Sequence, residues 1–437
     1  MDKPHTRELS HAEHSIRRYV IAITVIVVPA ATTAHAAEPF DKRRNPAWDG
    51  FRPPPVRSVE AENGRVLVNG RPFLPRVLYH AAHWHMGLRE AGEKGFNVVQ
   101  TYGISPETYR IDIDNAYENG MYSAAALNDL CDGSEASLQR VKKIVVACRN
   151  APGLLVWMLQ DEVNARRLAE PRNKPYRERP YEIPPERLKL TYDLIKRLDP
   201  VHPIWLNLCY GWLDDHKAYN SVADVKSDDI YPVPENPLPC VASYADVTVR
   251  GAAGKPAWLV LQMCPVRPQF GDKDRHPTMT EVRCMTYMAL AHGITGLGYY
   301  SFSERPGSTW RTSESAPAFW AQWSDLNGEL NTLSPYLLSP AIKAAIEVVI
   351  LQGPTGAGPW GFPALHLSLR KTENGFFLIA VNGLNEPVKA RLTMPPEAAG
   401  SLAAVRYENR TLSLQGRILE DSFAAYAVHL YELPLSR

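Results

Sequence analysis

A chain of 437 residues is long enough for one large core and a second domain. Its 48 Lys and Arg almost balance 47 Asp and Glu, which argues against a nucleic-acid or anionic-membrane partner. Hydrophobic residues at 45% and charged residues at 22% exclude a disordered or membrane-embedded chain and describe a globular one.

Residues 1–36 read as an export signal. Arg17 and Arg18 close a positive segment, residues 19–31 are apolar, and Ala34-His35-Ala36 is a small-x-small cleavage pattern. The apolar run is shorter than the roughly 20 residues of a spanning helix. The mature chain is therefore expected to start at Ala37, secreted or periplasmic, with no membrane segment left in it. Residues 37–64 form a Pro-rich lead-in that runs into a small hairpin over 58–73. Its turns are Asn63-Gly64 and Asn69-Gly70, dipeptides suited to the tight turns of hairpins.

Strands and helices then alternate through residues 65–340. Strands are expected over 76–80, 97–103, 121–127, 154–160, 203–209, 225–231, 257–264 and 295–302. Between them, residues 134–149 carry Leu138, Val141, Ile144, Val145 and Cys148 on one helical stripe. Asp132 and Glu135 stand ahead of it at capping-box spacing. Residues 184–198 and 281–292 show the same helical periodicity. Eight strands alternating with helices make an α/β fold, a (β/α)8 TIM barrel. A doubly wound open sheet lacks support, since no Gly-rich phosphate turn follows the first strand. Short strands over 346–351, 364–369, 376–381, 389–393, 403–406 and 426–433 predict an antiparallel β-sandwich over 341–437. The six cysteines match no metal motif, and several fall in elements where a buried thiol is expected.

Chemistry is expected where barrel strands end, because catalytic groups come from their C-terminal tips. The run Leu154-Leu155-Val156-Trp157-Met158-Leu159 is buried-strand sequence, and it stops within two residues at Asp161 and Glu162. The other tips supply His80, Tyr102, Asn207, Asp229 with Tyr231, Gln262 and Tyr300. Acids can move protons, amides can hold hydroxyls, and aromatic faces can pack on a sugar ring. Glu162 is the expected proton donor, its pKa raised by burial and by Asp161. The competing role for Asp161 and Glu162 is capping the next segment or pairing with Arg166 and Arg167. His80, Tyr102, Asn207, Tyr231, Gln262 and Tyr300 are the expected substrate-binding set, with Trp212 and Trp310 as further platforms. A metal site built from His80, His83 and His85 has no acidic or cysteine ligand at a matching spacing, so no metal or other cofactor is expected.

Several motifs, taken in order, resemble the large barrel glycoside hydrolases akin to β-galactosidases and cellulases. They are Val68-Asn69-Gly70-Arg71-Pro72-Phe73, Gly95-Phe96-Asn97-Val98, Trp157 with Asp161-Glu162, Asp228-Asp229-Ile230-Tyr231-Pro232, and Gly293-Ile294-Thr295-Gly296 before Tyr299-Tyr300-Ser301. The resemblance covers most of residues 65–340 and implies cleavage of O-glycosidic bonds in an oligo- or polysaccharide, with Glu162 as acid/base. Two positions depart from it. Asp161 stands where that superfamily usually has Asn, and Gln262 stands where it usually has its nucleophilic Glu. Three replacements are open. Asp229 is the preferred second carboxylate. Glu304 is another candidate, although an exposed loop acid near Arg305 is the stronger reading of it. Alternatively, Asp161 could orient a substrate N-acetyl group, as in the similar Asp-Glu pair of β-hexosaminidases. A barrel that binds carbohydrate without cleaving it is the alternative from another class. Asp228 is expected to satisfy nearby backbone or the Lys226 charge.

Overall fold

The structure is a computed structural model describing residues 52–81, 85–165, 178–266, 275–302, 316–342, 346–357, 361–398 and 402–434. The export-signal residues and residues 37–51 of the lead-in lie outside the described residues.

Strands β1 (Val59–Glu62), β2 (Arg65–Val68) and β3 (Arg71–Phe73) form a small antiparallel sheet. Both joining turns follow their dipeptides. Asn63 and Gly64 take φ of 50° and 76°, and Asn69 and Gly70 take 52° and 75°. Such left-handed pairs match the twist of the flanking strands. Val59, Val66 and Val68 share one core with the barrel residues Val77, Trp205 and Trp258. The Gly64 backbone bonds the Gly254 carbonyl, and Thr295 donates to the Gly64 carbonyl. The sheet thereby closes the N-terminal end of the barrel, opposite the mouth formed by the C-terminal strand tips.

Eight parallel strands close that barrel: β4 (Arg76–Leu78), β5 (Val98–Thr101), β6 (Tyr122–Ala126), β7 (Leu154–Met158), β8 (Ile204–Cys209), β9 (Val225–Ile230), β10 (Ala257–Gln262) and β11 (Gly296–Tyr300). They pair in chain order, and β11 returns to β4 in parallel register. Each lies inside the range expected from the sequence. The interior is filled by large rings, with Trp205 and Trp258 centred 4.9 Å apart. Gly296 makes this possible, since a Cβ there would lie 2.4 Å from Trp258.

Around the barrel run α1 (His85–Glu93), α2 (Pro106–Glu118), α3 (Glu135–Cys148), α4 (Pro185–Leu198), α5 (Leu213–Ala218), α6 (Cys240–Ala252), α7 (Met279–Ala291), α8 (Ala316–Ala321) and α9 (Trp323–Leu337). The cap of α3 corrects the expectation. Ser134, not Asp132, is the N-cap and accepts from the Ser137 N–H. Asp132 instead accepts from Ser134 N at 2.9 Å, one step before the helix. Helix α7 begins ahead of residue 281 because Thr278 and Glu281 form a reciprocal capping box. The described residues include all six cysteines, and no disulfide joins any two of them.

The C-terminal part holds three antiparallel sheets, the smallest pairing β13 (Gly356–Ala357) with β14 (Phe362–Pro363). Another holds β12 (Glu347–Gln352), β17 (Val388–Thr393) and β20 (Ile418–Phe423). The third runs β15 (Leu365–Thr372), β16 (Gly375–Asn382), β21 (Val428–Pro434), β18 (Leu402–Val405) and β19 (Arg410–Ser413). Leu378, Ala380 and Tyr431 from one sheet and Ala390, Leu392 and Phe423 from the other share a core. On its opposite face β16 packs Phe377, Ile379 and Val381 into the core of the barrel helices. Arg370 ties the two parts together, donating to the Leu290 carbonyl at 2.6 Å and the Ser339 carbonyl at 2.9 Å.

Candidate active site

The mouth of the barrel is lined by residues whose backbones are turned sharply at the strand tips. His80 after β4, Asp129 after β6, Glu162 after β7 and Tyr210 after β8 all have left-handed φ, of 66°, 60°, 49° and 75°. Non-glycine residues adopt that region uncommonly, and such strain concentrates at functional sites. Glu162 is held there by its own N–H, which bonds the Asn207 carbonyl at 3.2 Å.

Glu162 and Asp229 meet directly, their carboxyls joined by a hydrogen bond. Burial raises the Glu162 pKa well above the usual carboxyl range, and the Asp229 charge adds to it. Burial raises Asp229 as well, up to about 7, with the Glu162 carboxyl and the Tyr231 hydroxyl as donors that limit the rise. Of the two, Glu162 is the acid favoured to hold a proton and Asp229 the one whose donors favour its ionised form. Asp229 is 7% exposed, whereas Asp161 and Glu162 keep part of their surface open to solvent. Of the pair, Glu162 is the member more open to solvent.

Asp161 does not join that bond. Its Oδ1 accepts from Asn207 Nδ2 at 2.9 Å, and its N–H donates to Asn128 Oδ1 at 3.3 Å. Asn207 is itself fixed, because its Oδ1 accepts from Ser227 Oγ at 2.6 Å and Ser227 accepts from Trp205 Nε1 at 2.7 Å. An indole N–H can only donate, so the chain Trp205 to Ser227 to Asn207 to Asp161 has one direction. Burial, then the Glu162 charge, pushes the Asp161 pKa up to about 7.

The aromatic residues gather beside the acids. His80 and Tyr300 lie 5.2 Å apart, Tyr231 and Tyr300 5.3 Å, and His80 and Tyr102 6.1 Å, ring centre to ring centre. Tyr102 directs its hydroxyl to Gln100 Oε1. Trp212 stands after β8 as the N-cap of α5. Below them Tyr79 is 1% exposed, and its hydroxyl has no hydrogen-bond partner.

Gln262 departs from the role expected of it. Its Oε1 accepts from Val233 N at 2.7 Å, and its Nε2 donates to the Val233 and Cys264 carbonyls at 2.9 and 3.1 Å. The fully buried amide is engaged in holding the loop after β9, not in facing the mouth of the barrel. Asp228 keeps part of its expected role. It accepts from Gly211 N and Asp229 N at 2.9 and 3.0 Å, with His216 Nε2 3.0 Å away. The Lys226 ammonium goes instead to the His216 carbonyl at 2.6 Å. Glu304, Trp310, Arg166, Arg167 and His83 lie outside the described residues, and nothing is described of the His85 side chain.

Sequence reasoning passed over Ser227, Trp205 and His216, which touch only other protein groups. Alternation along β9 was the available signal for Ser227: it precedes Asp228 and Asp229 and is two residues from the second acid.

A β-galactosidase family model, Glyco_hydro_42, matches residues 185–316. The fold is similar to a β-galactosidase from Bacillus circulans sp. alkalophilus, with a TM-score of 0.55 at 11% identity over 82% of this chain and 99% of that one. It is equally similar to a catalytic mutant of a GH42 β-galactosidase from G. stearothermophilus, with a TM-score of 0.55 at 9% identity, over 88% and 100% of the two chains. The closed barrel is similar in fold to those of these TIM-barrel glycoside hydrolases. No curated protein matches the sequence. At these identities the likeness is one of fold. Among the described residues no helix is long and apolar enough to cross a membrane.

Proposed function

We propose that the protein is a glycosidase that cleaves an O-glycosidic bond with Glu162 as proton donor and Asp229 as the partner carboxylate. The observation that carries this reading is the pairing of two buried carboxyls, Glu162 and Asp229, at the tips of β7 and β9, each acting on the acidity of the other. Glycosidic cleavage needs one protonated and one ionised carboxyl, and environments that push two pKa values apart assign the roles. Asp229 attacks the anomeric carbon while the Glu162 proton passes to the leaving oxygen. Glu162, now ionised, takes a proton from water, and that water displaces Asp229 and restores both groups.

Substrate assistance through Asp161 is the weaker reading. Glu162 is bonded to Asp229, whereas Asp161 is tied to Asn207. A carbohydrate-binding barrel without turnover has no use for two acids paired in this way. The substrate is a saccharide met outside the cytoplasm, after removal of residues 1–36. Two experiments test this. Turnover of a glycan panel is expected to be lost in Glu162→Gln and Asp229→Asn. Cell fractionation with N-terminal sequencing is expected to find an exported protein starting at Ala37. Full activity in Glu162→Gln refutes the assignment.

A further inference from the structure

Two acids stand side by side on β9, and strand alternation sends them to opposite sides of the barrel wall. Val225 and Tyr231 pack with the residues that fill the barrel, whereas Ile230 packs with those of the surrounding helices. Asp229 therefore faces the mouth, and Asp228 faces the helix layer outside it. The proposed reaction gives Asp228 no part, yet it is fully buried and the meeting point of three groups. Its Oδ1 accepts from the Asp229 N–H at 3.0 Å, and its Oδ2 accepts from the Gly211 N–H at 2.9 Å. His216 Nε2 lies 3.0 Å from the same Oδ2.

Backbone N–H groups can only donate, so Asp228 accepts on both oxygens and ties two strand tips together. One is the left-handed Tyr210-Gly211 turn after β8, and the other is the Asp229 peptide on β9. His216 fixes the carboxyl in turn. Its Nδ1 is buried without a partner, so the ring hydrogen belongs on Nε2, where it has Asp228 as acceptor. The fully buried Lys226, also on the outer side of β9, donates to the His216 carbonyl at 2.6 Å. Beside His216 in α5, Asp215 accepts from Asn164 Nδ2 at 2.9 Å. Asn164 follows Glu162 by two residues and bonds both the N–H and the carbonyl of Cys209, at 3.1 and 2.8 Å. Across from His216, α6 carries Gly251, where a Cβ would lie 2.2 Å from His216 Cβ. Glycine weakens a helix, and here it makes room for the imidazole.

We infer that His216 and Asp228 are positioning residues, which hold the Asp229 carboxyl against Glu162 from the outer side of the barrel wall without touching the sugar. This rests on the glycosidase reading and adds to it the device that sets the distance between the two acids. Glu162 and Asp229 stand at the tips of β7 and β9 with β8 between them, and each junction is pinned once. Asn164 ties the loop after β7 to β8, and Asp228 ties the tip of β8 to β9. The His216 ring steadies Asp228 from α5. A reacting group misplaced by about 1 Å can lose about a hundredfold in rate. Contacts that bind the sugar elsewhere at the mouth are untouched, so the network acts on kcat and not on KM.

The test uses the full chain and the aryl glycoside that the wild type turns over fastest, with folding of each variant checked by circular dichroism and thermal melting. His216→Phe keeps an aromatic ring and removes the nitrogen that meets Asp228. It is expected to lower kcat by about 10–100-fold while KM stays within about twofold. His216→Gln returns an N–H at similar reach and is expected to recover most of that loss. Wild-type kcat in His216→Phe, or equal losses in His216→Phe and His216→Gln, overturns the inference and leaves the glycosidase reading standing. A loss carried by KM instead of kcat does the same. Should His216→Phe fail to fold, Gly251→Ala takes its place, since it keeps every polar group of the network and drives a methyl against His216. A fall in kcat at constant KM supports the inference there, and an unchanged kcat overturns it. A wild type that turns over no glycoside overturns the glycosidase reading, and the inference with it.

Discussion

Glu162 at the tip of β7 and Asp229 near the end of β9 reach across the intervening strand β8, and each carboxyl acts on the acidity of the other. Neither acid can be changed without altering the other. Removing Asp229 removes a charge that raises Glu162, and removing Glu162 removes a donor that limits the rise at Asp229. Each single replacement, Glu162→Gln or Asp229→Asn, is expected to lower kcat by about 10²–10⁴. The double replacement is expected to cost little more than the worse single one, because the two act as a unit. Full additivity of the losses in steady-state kinetics would show that they act separately.

The separation of the pair also decides stereochemistry. An inverting enzyme keeps a water between its carboxyls, which stand about 6.5–9.5 Å apart, whereas a retaining pair stands about 5–5.5 Å apart. Two carboxyls in direct contact leave no place for that water. The first product released is therefore expected to keep the anomeric configuration of the substrate. Proton NMR of the reaction before mutarotation reads this directly, and an inverted product would assign Asp229 to activating water instead.

Asp161 connects the site to pH-dependent stability. Its folded-state pKa, up to about 7, lies above the roughly 3.9 of an unfolded Asp. The folded state holds its proton more tightly. The favourable contribution is complete below the unfolded value and is lost as pH rises through the folded one. Between about pH 4 and 7 the wild type is expected to lose stability from this group as pH rises. Asp161→Asn should therefore raise Tm at pH 8 by more than at pH 4. Equal shifts at both pH values in scanning calorimetry would mean that Asp161 is not proton-linked to folding.

The barrel strands were legible because a strand buried on both faces is a continuous apolar run, as in Leu154–Met158 and Ala257–Gln262. The acids were legible because Asp161 and Glu162 interrupt such a run at its end. Strands β19 and β20 were not. Arg410–Ser413 shows alternating partial exposure, and Ile418–Phe423 carries Glu420 and Asp421 in mid-strand. Asp421 is accommodated only because Arg410 and Tyr431, distant in sequence, donate to it at 2.9 and 2.7 Å. The contact between Glu162 and Asp229 was open for a similar reason. Sequence places both at strand tips, but their separation depends on barrel closure and on the left-handed turn at Glu162. Gln262 was misjudged because its position at a strand tip says nothing about the β9–α6 loop that folds over it.

That loop makes Gln262 the subject of the last prediction. One side chain satisfies both the N–H and the carbonyl of Val233, a buried residue just beyond Tyr231, whose hydroxyl supports Asp229. Gln262→Ala leaves those backbone groups without partners and is expected to cost about 1–3 kcal/mol in denaturant unfolding. Restoring the acid usual in the superfamily should not help. In Gln262→Glu the ionised carboxylate meets the Val233 and Cys264 carbonyls, three acceptors with no proton between them. That variant is expected to be less stable than Gln262→Ala at neutral pH, to recover as pH falls, and to gain no activity. A Gln262→Glu enzyme faster than the wild type would mean that the side chain can swing into the site, and that this position serves catalysis after all.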